Sequence, residues 1–213
     1  EKQNKFDKIA SEFNKANYNV ITFDFSGVGE SDDDTLSINK QTDDLKAVIK
    51  FAKDKNYKNI ILFGVSLGAL SAFRCYNQGI KAIIGVGPVT YNGGSNWKRD
   101  KFDKKQLEEF KKTGQLIYHK SSGPRDHIVL DRDYVSEKEA VDQKELLKDV
   151  KCPILIIHSD GDEFIPLEIS QKAVEILGNK AELYVLQNGT HAFLNHIDIV
   201  IKKTLDWLSK NKL

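Results

Sequence analysis

A chain of 213 residues is long enough for one domain with a substantial core and room for an insertion. Its 32 basic and 31 acidic residues leave a net charge of +1, which argues against nucleic acid or another polyanion as partner. No apolar run reaches membrane-spanning length and no secretory signal is visible. The two cysteines, Cys75 and Cys152, lack metal-ligand spacing and fit buried thiols in a reducing compartment, so a cytoplasmic protein is expected. A chain that begins at Glu1 and contains no methionine reads as part of a longer one.

In chain order, Phe6, Ile9, Ala10 and Phe13 recur at helical spacing and predict an amphipathic helix over residues 4–16. Residues 19–24 read as a strand. Ser37 suits the N-cap of a helix whose Ile38, Leu45, Val48, Ile49 and Ala52 form one apolar face. Residues 59–63 are a short apolar run typical of a buried strand; residues 69–74 have the composition of a helix, and residues 81–86 read as another strand. From 91 to 150 the alternation breaks. That stretch carries Trp97, Phe102, Phe110, Tyr118 and Tyr134, many charges and no clear buried strand, with short helices expected near 104–112 and 136–148. A strand at 153–158, a helix at 167–177 and a strand at 181–186 follow. The closing helix is expected over 193–209, with Leu194, Ile197, Ile201, Leu205 and Leu208 inward. Strands alternating with helices predict an α/β protein with a mostly parallel sheet and helices on both faces.

Between the predicted strand at 59–63 and the helix after it lies Gly64-Val65-Ser66-Leu67-Gly68. A sharp strand-to-helix turn needs small neighbours and lifts its central hydroxyl above the carboxyl edge of the sheet, over a helix N-terminus. A serine nucleophile needs a base and the base an orienting acid. Candidates follow later strands: Asp160 and Asp162 in the loop after 153–158, and His191 after 181–186. In an open parallel sheet those carboxyl ends share one rim, where ligands bind.

At these residues the chain resembles the α/β-hydrolase family, in particular its small serine esterases and serine peptidase-like members. Asp24-Phe25-Ser26-Gly27-Val28-Gly29-Glu30-Ser31 is similar to the family's Asp-x-x-Gly-x-Gly-x-Ser loop. Residues 158–166 match its His-Gly-x-x-Asp-x-x-Val-Pro segment, with Ser159 for the glycine and Ile165 for the valine; Gly189-Thr190-His191 matches the terminal Gly-x-His. The resemblance implies an α/β-hydrolase fold with residues 1–90 and 151–213 as core and 91–150 as an inserted cap. It implies Ser66 as nucleophile, Asp162 as acid, His191 as base and the Leu67 N–H as an oxyanion donor, with no metal and no organic cofactor. By this register Asp160 is left to stabilise its turn, His158 to bond within the acid loop and Asp24 to shape the glycine turn. His196 is a bystander, and His119 and His127 lie on the surface of the cap or face the substrate.

The activity implied is hydrolysis of a small carboxylic ester, aryl esters included, through an acyl-enzyme, with Trp97 and Tyr118 as candidate substrate contacts. A peptidase or amidase of the same fold is the alternative, in which Arg125, Asp126 or Arg132 would receive a charged peptide terminus. A catalytically silent binding protein is the third. In the family's strand order another strand lies between those at 19–24 and 59–63, and its trailing loop supplies the other oxyanion donor. This sequence lacks it, so the family's N-terminal strands are expected to be missing here, with an upstream segment or some other element filling the slot.

Overall fold

The structure, a computed structural model, describes residues 5–94, 98, 102–119 and 124–213. Its elements in chain order are α1 (Lys5–Lys15), α2 (Ile38–Asp54), β1 (Ile60–Val65), α3 (Leu67–Arg74), β2 (Ile80–Val86), α4 (Lys104–Thr113), β3 (Leu116–His119) and β4 (His127–Leu130). After these come α5 (Arg132–Glu139), α6 (Gln143–Leu147), β5 (Ile154–Ser159), α7 (Leu167–Leu177), β6 (Ala181–Leu186) and α8 (Ile197–Lys210). The chain groups into two compact units. Residues 1–23, 58–89 and 147–213 form one; residues 24–57 and 90–146 form the other.

The first unit is built on a four-stranded parallel sheet of order β1-β2-β5-β6. Its inner strands are near-continuous apolar runs because both faces are covered. On one face Ala82, Ile84 and Val86 of β2 and Leu155 and Ile157 of β5 pack with Ile9 and Phe13 of α1 and Val200, Ile201, Trp207 and Leu208 of α8. Period-two alternation turns Ile83, Ile154 and Ile156 to the other face. There α3 approaches so closely that a Cβ on Gly85 would meet that of Ala69 at 3.6 Å, and Ser170 of α7 hydrogen-bonds His158 of β5. Helices thus cover both faces. All four strands run the same way, so their carboxyl ends form one rim carrying Ser66, Gly87, the 160–166 loop and the 187–193 loop.

In the second unit the acidic-glycine turn, α2 and a two-stranded hairpin are tied together. Asp24 accepts the N–H of Glu30 at 3.0 Å, and its carboxylate fills the space that a Cβ on Gly29 (φ 60°) would need. Arg125 clasps the same turn, donating to Gly29 O at 2.8 Å, to Ser31 O and to the Asp33 carboxylate. Ser37 caps α2 by accepting the Lys40 N–H, as expected. Glu137 of α5 adds a carboxylate there, accepting the N–H groups of Ile38 (2.7 Å) and Asn39 (3.0 Å), where the helix dipole favours negative charge.

Four expectations change. Residues 19–24 are not a strand: they run without regular structure, with Ile21 and Phe23 exposed. A strand exists only as one side of a ladder, and among the described residues none lies between this stretch and β1. The 91–150 stretch, read as having no clear buried strand, holds the partly buried β3–β4 hairpin, in which Leu116 pairs with Leu130 and His119 with His127. The helix expected near 136–148 is two, α5 and α6, separated by residues 140–142. Finally, Leu194 is 61% exposed instead of inward. Phe193 adopts a left-handed φ of 43°, one 3-10 turn follows, and α8 begins only at Ile197.

Candidate active site

Ser66 sits between β1 and α3 at φ 53°, ψ −117°, a backbone region that a non-glycine residue enters only at a cost of about 1–3 kcal/mol. The turn is held from below. Ser66 N–H donates to Val86 O at 2.9 Å, and Ser66 O accepts from Val89 N–H at 3.2 Å. Gly64 makes the turn sterically possible, because a Cβ there would lie 2.6 Å from the Cα and N of Ala69. Gly68 differs from expectation: a Cβ at that position meets nothing within 4 Å. Leu67 is the first residue of α3, so its N–H belongs to the open amino end of that helix, where a developing negative charge is favoured.

On the same rim Asp162 and His191 meet. His191 Nδ1 donates to Asp162 Oδ2 at 2.7 Å, which leaves Nε2 as the basic nitrogen. The Asp162 side chain is 1% exposed. Burial is the largest single influence on its carboxyl and raises it. The His191 hydrogen bond and the N–H groups of Ile165 (2.8 Å) and Phe164 (2.9 Å) together outweigh burial and hold it below the usual carboxylate range. Asp160 is exposed and contributes its main-chain N–H to Leu186 O at 3.0 Å. The structure therefore brings His191 to Asp162.

Between the serine turn and this pair stands Gly87 (φ 50°), whose N–H donates to Ile157 O at 2.8 Å. A Cβ on Gly87 would sit 3.3 Å from both Asp162 Oδ2 and His191 Nδ1. The Ser66 main chain is bonded to residues on either side of this glycine, which places the serine turn and the Asp162–His191 pair side by side.

The two loops also grip each other. Ser159 Oγ donates to Thr190 O at 2.8 Å. A Cβ on Gly161 would lie 2.6 Å from Gly189 O, so only glycine fits that approach. His158 is fully buried; its Nε2–H donates to Ile165 O at 2.9 Å while Nδ1 accepts from the Ser170 hydroxyl at 2.7 Å. Burial holds its imidazole below the usual histidine value, and this neutral ring braces the loop that carries Asp162.

Three residues beside the pair have no signal in the sequence motifs. Gly87 is one. Glu163 accepts the main-chain N–H of His191 at 3.0 Å, and the Phe164 ring packs edge-on against the His191 imidazole, centroids 5.3 Å apart. Among the candidate substrate contacts, Tyr118 lies half-buried on β3 in the second unit, and Trp97 lies outside the described residues. His196 ends the 3-10 turn before α8. His119 and His127 face each other across the β3–β4 hairpin, with the ring of His127 bonded to Asp126. Cys75 and Cys152 are buried thiols. No helix among the described residues is long and apolar enough to cross a membrane.

Comparison with known proteins places this geometry in context. The family model described as serine aminopeptidase, S33, matches residues 1–105. An uncharacterized 31.7 kDa protein from the traX-finO intergenic region of Escherichia coli is 27% identical over 218 residues, covering 86% of this chain and 76% of its own. The YfhR protein of E. coli K12 is 24% identical over 90% of this chain, which spans 61% of that relative's length. Among solved structures, ferulic acid-bound Est1E from Butyrivibrio proteoclasticus superposes with a TM-score of 0.77 at 21% identity, over 98% of this chain and 83% of its own. The esterase domain of a Rhodothermus marinus protein gives a TM-score of 0.73 at 17% identity, over 98% of this chain and 82% of its own.

Proposed function

We propose that this chain is a serine hydrolase of the α/β-hydrolase family acting on a small carboxylic ester, with Ser66 as nucleophile, His191 as base and Asp162 as acid, a reading that the matching family model and the fold of the solved neighbours support. The observation that carries this reading is the positive φ of Ser66, a strained conformation held beside the 2.7 Å Asp162–His191 bond. His191 Nε2 takes the hydroxyl proton as Ser66 Oγ attacks the ester carbonyl carbon, and the Leu67 N–H receives the oxyanion. As the tetrahedral species collapses, the bond to the leaving oxygen breaks. His191 returns the proton to that oxygen and the alcohol departs. Water, deprotonated by His191, then attacks the acyl-enzyme; the carboxylic acid leaves and Ser66 regains its proton. Asp162 keeps its negative charge throughout and stabilises the imidazolium.

Labelling with a fluorophosphonate, with the modified residue located by mass spectrometry, tests this. Wild type is expected to label at Ser66, and His191→Ala to label at least about 100-fold more slowly. A folded wild type that does not label would replace the hydrolase reading by that of a catalytically silent binding protein. The serine aminopeptidase description of the matching family model favours peptidase or amidase activity as the second reading. Esters, amides and short peptides sharing one acyl group separate the two by their relative kcat/KM.

A further inference from the structure

The aromatic ring packed on the candidate base is more than half exposed: Phe164 keeps 55% of its surface accessible while its ring stands at 81° to the His191 imidazole. It reaches that place because Asp162 accepts the N–H groups of both Phe164 and Ile165, turning the loop back on the carboxylate and bringing residue 164 to the histidine. The exposed part of that ring is apolar surface directly beside the candidate base, and covering it with an apolar group of a bound molecule is favourable. We propose that Phe164 is the contact for the alcohol side of the ester and makes the site select apolar leaving groups. This rests on the serine hydrolase reading above.

The argument follows from where the proton must go. For the alcohol to depart, its oxygen must come within hydrogen-bond reach of His191, about 3 Å. The carbon chain on that oxygen then lies beside the imidazole against which the Phe164 ring packs. The acyl group stays bonded to Ser66 and makes no such approach. Phe164 therefore acts on acylation, while the leaving group is present, and has no part in hydrolysis of the acyl-enzyme. A residue that only propped up His191 would alter both steps and all esters alike.

The test uses ethyl, butyl and hexyl butanoate, whose leaving alcohols have nearly equal basicity and differ in apolar length. In wild type, kcat/KM is expected to rise about tenfold from ethyl to hexyl. In Phe164→Ala, and in Phe164→Gln where length is kept and apolar character lost, the rise is expected to shrink to about twofold or less, while Phe164→Leu keeps most of it. The decay rate of the butanoyl-enzyme, common to all three esters, is expected to stay within about twofold across the variants. An undiminished rise in both Phe164→Ala and Phe164→Gln, or a flat series in wild type, overturns the proposal while labelling at Ser66 leaves the hydrolase reading standing. Absence of labelling at Ser66 in wild type overturns both.

Discussion

Glu163 Oε2 accepts the main-chain N–H of His191 at 3.0 Å, immediately beside the 2.7 Å bond from His191 Nδ1 to Asp162 Oδ2. Two consecutive carboxylates of one loop thus hold one histidine at two points, its ring and its backbone. The backbone hold matters because His191 lies on a turn without regular secondary structure after β6, where few other bonds fix its Cα. Glu163→Ala is expected to lower kcat about three- to tenfold with KM within about twofold. Glu163→Gln, whose amide oxygen still accepts the N–H, is expected to recover most of the loss. Steady-state kinetics on any turned-over ester reads this split.

His158 predicts a pH dependence of stability. Its folded value lies below the unfolded one, because burial disfavours the charged ring; Asp162, Glu168 and His191 are the ionisable groups that face it. The unfolded state therefore binds more protons once pH falls below about 6.5, so the stability it confers is complete above that pH and lost as pH drops toward the folded value. Thermal unfolding between pH 7.5 and pH 5 is expected to show a steeper fall in Tm for wild type than for His158→Gln, even though the variant is less stable at pH 7.5. Equal slopes in the two proteins would exclude this assignment.

The two glycines flanking Val65, Ser66 and Leu67 are unequal. A methyl group on Gly64 would press on the main chain of Gly68 and Ala69, which no rotamer can relieve. Gly64→Ala is expected to destabilise by about 1–3 kcal/mol and to slow fluorophosphonate labelling of Ser66. Gly68→Ala meets open space among the described residues and lies within α3, so it is expected to leave Tm unchanged or raise it by the equivalent of about 0.4–1 kcal/mol. Differential scanning calorimetry of both variants compares them directly.

Burial pushes the Cys152 thiol up to about 11. At pH 8 only about one molecule in a thousand then carries the thiolate that reacts with disulfide reagents. Ellman's reagent is expected to react slowly with the native protein and to count two thiols rapidly after unfolding in guanidinium. Fast native reaction at Cys152 would show that this strand start opens readily.

Local patterns made much of this protein legible. β1, β2 and β5 are strands of six or seven residues, each built on a continuous apolar run of at least four, and the Gly64-x-Ser66 turn between β1 and α3 is a property of adjacent residues. The motif from His158 to Pro166 is likewise continuous in sequence, and it singles out Asp162, the aspartate to which the His191 ring is bonded, over Asp160. The β3 and β4 strands were not legible, because four residues with burial patterns Beie and eiiB show no sustained alternation; they are strands by virtue of pairing with each other. The converse holds at 19–24, whose composition suits a strand but which has no ladder among the described residues. Leu194 continues the apolar period of α8 by one turn, yet the left-handed Phe193 and the 3-10 turn after it start the helix later and leave that leucine outside.

What the sequence determined by itself was the motif residues and the order in which they meet the sheet, because the motif types, the apolar runs and the turn glycines act within a few residues of one another. Only the tertiary structure decided what stands around them. Gly87 against the Asp162–His191 pair, Glu163 on the His191 backbone and Phe164 on its ring all join residues tens of positions apart. Such contacts depend on strand register and loop path, set by packing of the whole sheet, and no local propensity encodes them.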